Sequence, residues 1–213
     1  VRVRLPHLIE LNKTVKPDII MLQETKSTDE NFPFDDIKNL GFEIITVGQK
    51  SYNGVAVLSK LPIELVADAL PGNKKDEQAR FLEVKVKVDK PFNIGSIYLP
   101  NGNPIDTDKY LYKKKWLETL IKKLESKIKK KSEIILAGDF NIIPETNDVY
   151  DSAKFENDAL FKLEIRKKYR ELINLGLNDV YRYFNKEKHE YTFWDYMAGA
   201  WNKNKGMRID HFL

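Results

Sequence analysis

Cysteine is absent from the 213 residues, which excludes disulfides, thiol nucleophiles and thiolate metal sites and fits a reducing compartment. No apolar run reaches the roughly 20 residues that a membrane-spanning helix requires, so no membrane partner is expected. Neither sign of charge dominates: 36 basic against 32 acidic residues leave +4. That excess permits a nucleic-acid partner without demanding one. Internal repeats are missing, as is any linker long enough to divide the chain. At 42% hydrophobic residues the chain can bury a substantial core, and a single domain over residues 1–213 is expected.

What is present is an interleaving of strand-like and helix-like segments. Apolar runs predict strands over Asp18–Glu24, Phe42–Val47, Val55–Ser59, Phe81–Val88, Asn93–Leu99, Ile134–Ala137, Tyr191–Trp194 and Met207–Leu213. Leu82, Val84, Val86 and Val88 alternate with Glu83, Lys85 and Lys87, the pattern of a half-buried antiparallel strand. Ile19–Leu22 and Ile134–Leu136 are apolar at every position, so those strands are expected to be central in their sheets. Leu117, Leu120, Leu124 and Ile128 form a helical stripe within Lys109–Lys131, with lysines covering the other faces. A second helix is predicted within Asn157–Leu175, closed by Gly176, and a shorter one over Leu5–Val15. The class is α/β or α+β with a mixed sheet.

Polar residues stand where several of these runs end. They are Glu24 in Ile-Met-Leu-Gln-Glu, Tyr98 in Tyr-Leu-Pro-Asn-Gly, Asp139 and Asn141 in Gly-Asp-Phe-Asn, and Asp210 in Arg-Ile-Asp-His. Strand ends are rigid, and loops leaving them can converge on one cleft. Carboxylates, an amide and a phenol gathered there suit a hard cation such as Mg²⁺ and a phosphate ester. The set implies metal-dependent phosphodiester hydrolysis, with DNA as the expected substrate.

Each residue also has a plainer account. Glu24 is either a cation ligand or a strand-end carboxylate paired with Lys26. Asp139 and Asn141, two apart on an extended segment, point the same way, with Gly138 admitting a close ligand; the alternative is a Gly-Asp-Asn turn. Tyr98 can donate to, or as phenolate attack, a phosphorus centre, and Asn101 can hold a phosphate oxygen; the alternative is a tyrosine before a Pro-Asn-Gly turn. Asp210 belongs to the site or is a strand carboxylate paired with Arg208 or Arg80. His211 alternates to the face opposite Asp210 and reads as structural. Tyr191–Tyr196 with Trp201 is either core or a wall against a sugar or an unpaired base. The lysines of residues 113–131 read as a solvated helix face, Lys113 excepted, since it lies near the Tyr98 turn in sequence.

Taken together with Leu-Gln-Glu-Thr-Lys (residues 22–26), Tyr-Asn-Gly-Val-Ala (52–56), the aromatic block at 191–196 and Asn-Lys-Gly-Met-Arg-Ile-Asp-His (204–211), these motifs make the chain resemble the exonuclease III family of apurinic/apyrimidinic endonucleases. The match runs almost from Val1 to Leu213 in the family's order. The resemblance implies an α/β (α+β) fold, a four-layered αββα sandwich of two mixed β-sheets flanked by helices, characteristic of the endonuclease/exonuclease/phosphatase superfamily. It implies cleavage of the DNA backbone 5′ to abasic sites, with 3′-5′ exonuclease and 3′-phosphatase activity, and Mg²⁺ or Mn²⁺ as cofactor. Glu24 looks like the metal ligand. Tyr98 and Lys113 look like groups near the scissile phosphate, with Asn101 and Arg80 supporting the phosphate or DNA backbone. Asp139 would activate water or assist the leaving group, Asn141 would hold a phosphate oxygen, and Asp210 would orient the catalytic histidine. Phe193, Trp194, Met207 and Ile209 would line the pocket for the abasic sugar.

The family's first strand, ending in Trp-Asn, would precede Val1, and its Ser-Asp-His segment would follow Leu213. The chain is therefore expected to be a piece of a longer one, incomplete at both termini and poorly stable alone. Met207 stands where larger aromatics can occur, which bears on pocket shape. The implied partner is double-stranded DNA carrying abasic sites or 3′ ends, bound by a monomer. The implied location is the cytoplasm and nucleoid of a bacterium. Rival readings are another phosphoesterase of the superfamily, such as a nonspecific deoxyribonuclease or a lipid or inositol phosphatase, and a noncatalytic DNA-binding remnant.

Overall fold

The computed structural model describes residues 1–71, 76–187 and 190–213. The chain forms two compact units, one of Val1–Tyr98 with Ser132–Gly138, the other of Leu99–Lys131 with Asp139–Leu213.

The first unit holds helices α1 (Leu5–Thr14) and α2 (Phe34–Lys38) and strands β1 (Ile19–Gln23), β2 (Glu43–Val47), β3 (Val55–Ser59), β4 (Ile63–Ala67), β5 (Phe81–Val86) and β6 (Phe92–Tyr98). Strand β7 (Ile134–Asp139) belongs to it up to Gly138. One sheet has the order β1-β3-β2, antiparallel throughout, with Val57 of β3 opposite both Met21 and Ile45. In the other sheet the strands of this unit run in the order β7-β6-β5-β4, and Val84 of β5 pairs with Leu65 and Ile94. Because side chains alternate across a strand, each sheet sorts its residues onto two faces. Val55 and Val57 meet Leu82, Val84, Val86 and Ile94 between the sheets, joined by Ile19, Met21 and Ile45. On the outer face of the first sheet, Ile20, Ala56 and Leu58 pack with Leu8 of α1 and Ile37 of α2. This unit is thus layered helix, sheet, sheet.

That layering corrects one expectation. β1 is apolar at successive positions, yet it lies at the edge of its sheet. Ile19 and Met21 face the core between the sheets while Ile20 and Leu22 face the helices. Apolarity on both faces reports cover on two sides, not a central position in the hydrogen-bonded order. β5 corrects another: it is antiparallel and alternating, but it ends at Val86, and Glu83 on its polar face is fully buried. β4 carries no clean period and escaped the sequence reading; Leu65 and Val66 stay exposed on it.

The second unit holds α3 (Asp108–Lys129), α4 (Leu163–Asn174), α5 (Val180–Phe184), β8 (Phe193–Trp194), β9 (Gly206–Met207) and β10 (Asp210–Phe212). The α3 stripe is buried at Leu117, Leu120 and Leu124, as its spacing requires. Tyr110 donates to Glu164 Oε1 at 2.7 Å, and Lys114 pairs with Glu164 at 2.7 Å, tying α3 to α4. α4 starts at Leu163 rather than near Asn157, because Asp158 Oδ1 accepts the Leu160 N–H at 2.8 Å and diverts the backbone into a turn. That turn delivers Leu160 and Phe161 to a core with Ile143, Val149 and Ile209. The final predicted strand splits into β9 and β10 because Arg208 N–H bonds to Asp148 O at 2.8 Å, pulling the chain out of a continuous ladder. Tyr191 and Thr192 precede β8 for a related reason: the Thr192 hydroxyl caps the N–H groups of Ile209 and Asp210. Among the described residues, no helix is long and apolar enough to cross a membrane.

Candidate functional site

In the first unit the predicted residues Glu24, Tyr98 and Arg80 come together. Glu24 follows β1 with a left-handed backbone (φ 51°), which turns its side chain off the strand line. The segment after it is held down by Thr25 N–H on Gly54 O (3.1 Å) and Lys26 N–H on Asn53 O (2.9 Å), which explains the Asn-Gly pair before β3. The Tyr98 hydroxyl, from the end of β6, donates to Glu24 Oε1, and Lys26 Nζ lies 2.7 Å from Glu24 Oε2. Arg80 lies over the Tyr98 ring at 4.6 Å and donates to Tyr98 O at 3.2 Å. Partial burial pushes the Glu24 carboxyl up, but hydrogen bonds from Lys26 and Tyr98 and the charges of Lys26 and Arg80 outweigh it and hold the group below the usual glutamate range. The result is an ionised carboxylate, 41% exposed, beside a phenol, an ammonium and a guanidinium.

In the second unit Asn101, Lys113, Asp139 and Asn141 form another cluster. Asp139 Oδ1 accepts the Asn141 N–H at 2.8 Å, and Asn141 has a left-handed φ of 47°. The two side chains therefore meet through a tight turn, not through the extended geometry expected; both the site reading and the turn reading of this tetrapeptide describe it. Asn141 is buried and its amide is fully engaged: Nδ2 donates to Leu99 O at 2.8 Å and Asp139 Oδ2 at 3.3 Å, and Oδ1 accepts from Asn101 Nδ2 at 3.2 Å. Lys113, expected to face a phosphate, is instead enclosed. Its Nζ donates to Asn101 O at 2.9 Å and Asn141 O at 2.6 Å, with no exposed surface. Burial pushes its ammonium down to about 7, against the pull of Asp158 and Asp139.

Asp210 is held beside this turn, since Phe140 N–H donates to Ile209 O at 2.9 Å. Burial pushes its carboxyl up, against a hydrogen bond with Thr192. The plainer alternative, a pairing with Arg208 or Arg80, does not describe those two cations. Arg208 goes to Asp148 (2.8 Å) and Asp179 (2.9 Å), while Arg80 serves Tyr98 in the other unit. β8 and β9 form a hairpin that places Phe193 opposite Met207 and Trp194 opposite Gly206. Phe193 and Trp194 line an open depression of roughly 520 Å³ with Tyr196, Ala200 and Trp201. Ile209, expected in the sugar pocket, is a core residue at 5% exposure, with Met207 half-buried against it.

Sequence reasoning missed the buried ionic group of Asp148, Asp179, Arg182, Arg208 and His211. Arg208 holds both Asp148 oxygens, at 2.8 and 3.1 Å, and donates to His211 Nδ1 at 3.0 Å. No local pattern links residues 60 apart; the one signal was Arg208 flanked by the apolar Met207 and Ile209 in a predicted strand. His211 is buried, with Nε2 on Ile142 O at 2.8 Å, in the structural role expected of it.

A family profile described as the Endonuclease/Exonuclease/phosphatase family matches residues 4–213. The chain belongs to that family. Members of the Endonuclease/Exonuclease/phosphatase family similar to it include exodeoxyribonuclease III of Haemophilus influenzae, 30% identical over 220 residues, covering 98% of this chain and 82% of that protein. An AP endonuclease from Archaeoglobus fulgidus superposes with a TM-score of 0.93 at 35% identity, covering 99% of this chain and 81% of that one. A 3′ phosphatase from Neisseria, solved with a product DNA hairpin, gives 0.94 at 32% identity, covering 99% and 80%. The exonuclease III resemblance and the mixed α/β class with sheets flanked by helices are both borne out.

Proposed function

We propose that the chain carries the hydrolytic site of a DNA-repair phosphodiesterase that cuts the backbone 5′ to abasic sites and also trims or dephosphorylates 3′ ends. The observation that carries this reading is the Glu24 carboxylate, ionised and partly open, with Tyr98, Lys26 and Arg80 around it. The relatives' own substrates, in name, support the same class.

Among the described residues no three acidic or histidine side chains gather as a metal cage. Glu24 alone still fits Mg²⁺ or Mn²⁺, because Mg²⁺ is commonly bound through one or two carboxylates, several waters and substrate phosphate oxygens. When bound there, such an ion supplies charge neutralisation at the phosphate and a more acidic water. The remaining work falls to side chains. With substrate bound, Tyr98 turns its one hydroxyl proton from Glu24 to a phosphate oxygen, and Arg80 keeps the phenol in place while adding positive charge. Asp139, oriented by the Asn141 N–H, takes a proton from water or gives one to the leaving group. Asn101 and Asn141 hold phosphate oxygens, Asp210 orients a proton-transfer group, and Phe193, Trp194 and Met207 flank the sugar. An abasic nucleotide has no base to unstack and is cheaper to extrude, which supplies selectivity. On this reading the protein acts as a monomer on DNA in the cytoplasm and nucleoid of a bacterium.

The test is incision of an end-labelled duplex bearing one abasic-site analogue, with Mg²⁺ and with EDTA, for the chain and for Glu24→Gln. Mg²⁺-dependent cutting 5′ to the lesion, reduced at least about 100-fold in Glu24→Gln, a loss typical of removing a transition-state charge contact, supports the reading. Cutting that persists in EDTA or is unchanged in Glu24→Gln overturns it; DNA binding without cutting by the folded chain leaves the family standing and favours the noncatalytic alternative for this chain.

A further inference from the structure

Two loops in the second unit carry residues assigned to phosphate chemistry: residues 99–103, which contain Asn101, and residues 139–142, which contain Asn141. They are joined from below by one side chain. Lys113 rises from α3 with no exposed surface and ends on the carbonyl of Asn101 at 2.9 Å and that of Asn141 at 2.6 Å. The same two residues meet above it through the Asn101 Nδ2–Asn141 Oδ1 hydrogen bond of 3.2 Å. Gly102 provides an independent mark of this design. A Cβ added there would sit 2.6 Å from Lys113 Cδ and 3.2 Å from its Cβ, so the glycine is the space through which the lysine stem passes. A buried ammonium on carbonyl oxygens costs desolvation free energy that a surface phosphate contact does not. Two aspartates bear on its charge: Asp158, fixed by the Leu160 N–H and Asn103 Nδ2, and Asp139 of the turn.

We propose that Lys113 is a positioning residue, not a phosphate contact: it fixes the Asn101 and Asn141 loops against each other so that Asp139 and the two amides stand in working geometry. Its effect on catalysis passes through those residues. This rests on the phosphodiesterase reading, and the two are separable because burial of Nζ can be read without any substrate.

The first arm acylates the amines of the folded chain and reads each lysine by mass spectrometry. Lys113 is expected to stay unmodified while exposed Lys115 and Lys122 react; ready modification of Lys113, with protection by duplex DNA, overturns the proposal. The second arm compares Lys113→Met with Lys122→Met. For Lys113→Met we expect kcat to fall at least tenfold with KM within twofold. The log–log salt slope of DNA binding, measured in EDTA, should stay unchanged, because no phosphate contact is lost. A slope reduced by about 0.9, the counterion signature of one phosphate contact, overturns it, as does an unchanged kcat. Because the chain has no cysteine, Lys113→Cys alkylated with bromoethylamine while unfolded rebuilds a lysine-like amine at one position. Recovery of kcat on refolding is expected, and folded alkylated chain without recovery counts against the proposal. Should wild-type chain not cut DNA, the phosphodiesterase reading fails while the acylation arm still decides the burial. Should Lys113→Met not fold, that arm on wild type decides alone.

Discussion

At the scale of single residues, His211 and Arg208 make the sharpest statements. Nε2 of His211 donates to Ile142 O, its Nδ1 accepts from Arg208, and its ring packs edge-on to Phe140 and tilted to Tyr169, with centroids at 5.2 and 4.9 Å. Burial and then the Arg208 charge push its pKa from 6.5 down to about 4. As pH falls, the unfolded chain therefore takes up the proton first, and folded stability declines from pH 6.5 to about 4. By pH 5 the loss should reach about 2 kcal/mol relative to pH 7. Urea unfolding at the two pH values measures it, and His211→Gln should flatten the difference. Asp148 acts in a lower window: burial pushes its carboxyl up, Arg208 and Arg182 more than reverse that, and its stabilisation is lost only as pH falls below 3.8. Removing Arg208 leaves Asp148 and Asp179 buried without their main cation. Arg208→Met should cost about 3 kcal/mol or more in denaturant unfolding, whereas breaking an exposed pair such as Lys129–Glu125 should change stability far less, because water screens it.

At the scale of elements, the strand ends hold the proposed site residues in place, and the β7 end shows how. Gly138 has φ 139°, and a Cβ on it would lie 2.1 Å from the Ile97 carbonyl oxygen of β6. The close approach of β7 to β6 thus has no room for a side chain immediately before Asp139. Gly138→Ala must push the strands apart or misplace the Asp139 turn. It should destabilise by about 2 kcal/mol or more, since both strain and overpacking act. Circular dichroism melts check that figure, and the side-chain amide NMR signals of Asn141 should move with it. The helices α2 and α5 lay below what periodicity resolves, because five residues complete less than two turns; β4 is no shorter than β1 or β3, but its middle positions are exposed and give no apolar alternation to read.

At the scale of the whole molecule, charge sets how DNA is held. A net +4 does not fix the salt dependence; the log–log slope of affinity against salt counts the phosphates that basic residues neutralise, about −0.9 for each, and a compact footprint of about five contacts gives a slope no steeper than about −5. Fluorescence anisotropy on an abasic duplex in EDTA measures it. A steeper slope would mark a polycationic binder and favour the noncatalytic reading.

Much of the molecule was legible before any coordinates. Apolar periods located β1, β3, β5, β6, α1 and α3 to within a few residues, and Gly-Asp-Phe-Asn and Leu-Gln-Glu-Thr-Lys named the residues that cluster. These are local features, fixed by which side chains a short backbone segment presents to a face. Partner choice is not local. Tyr98 reaches Glu24 across 74 positions and Arg208 reaches Asp148 across 60, and neither pairing leaves a trace in spacing. Desolvation is decided in the same way: Lys113 reads in sequence as one of a run of surface lysines, yet packing buries it and turns a candidate phosphate contact into a support for two loops. Which chemical groups stand at the strand ends can be read along the chain. Which of them are wet, which are charged and which hold the others follows from folding, because burial and long-range contact set the cost of a charge.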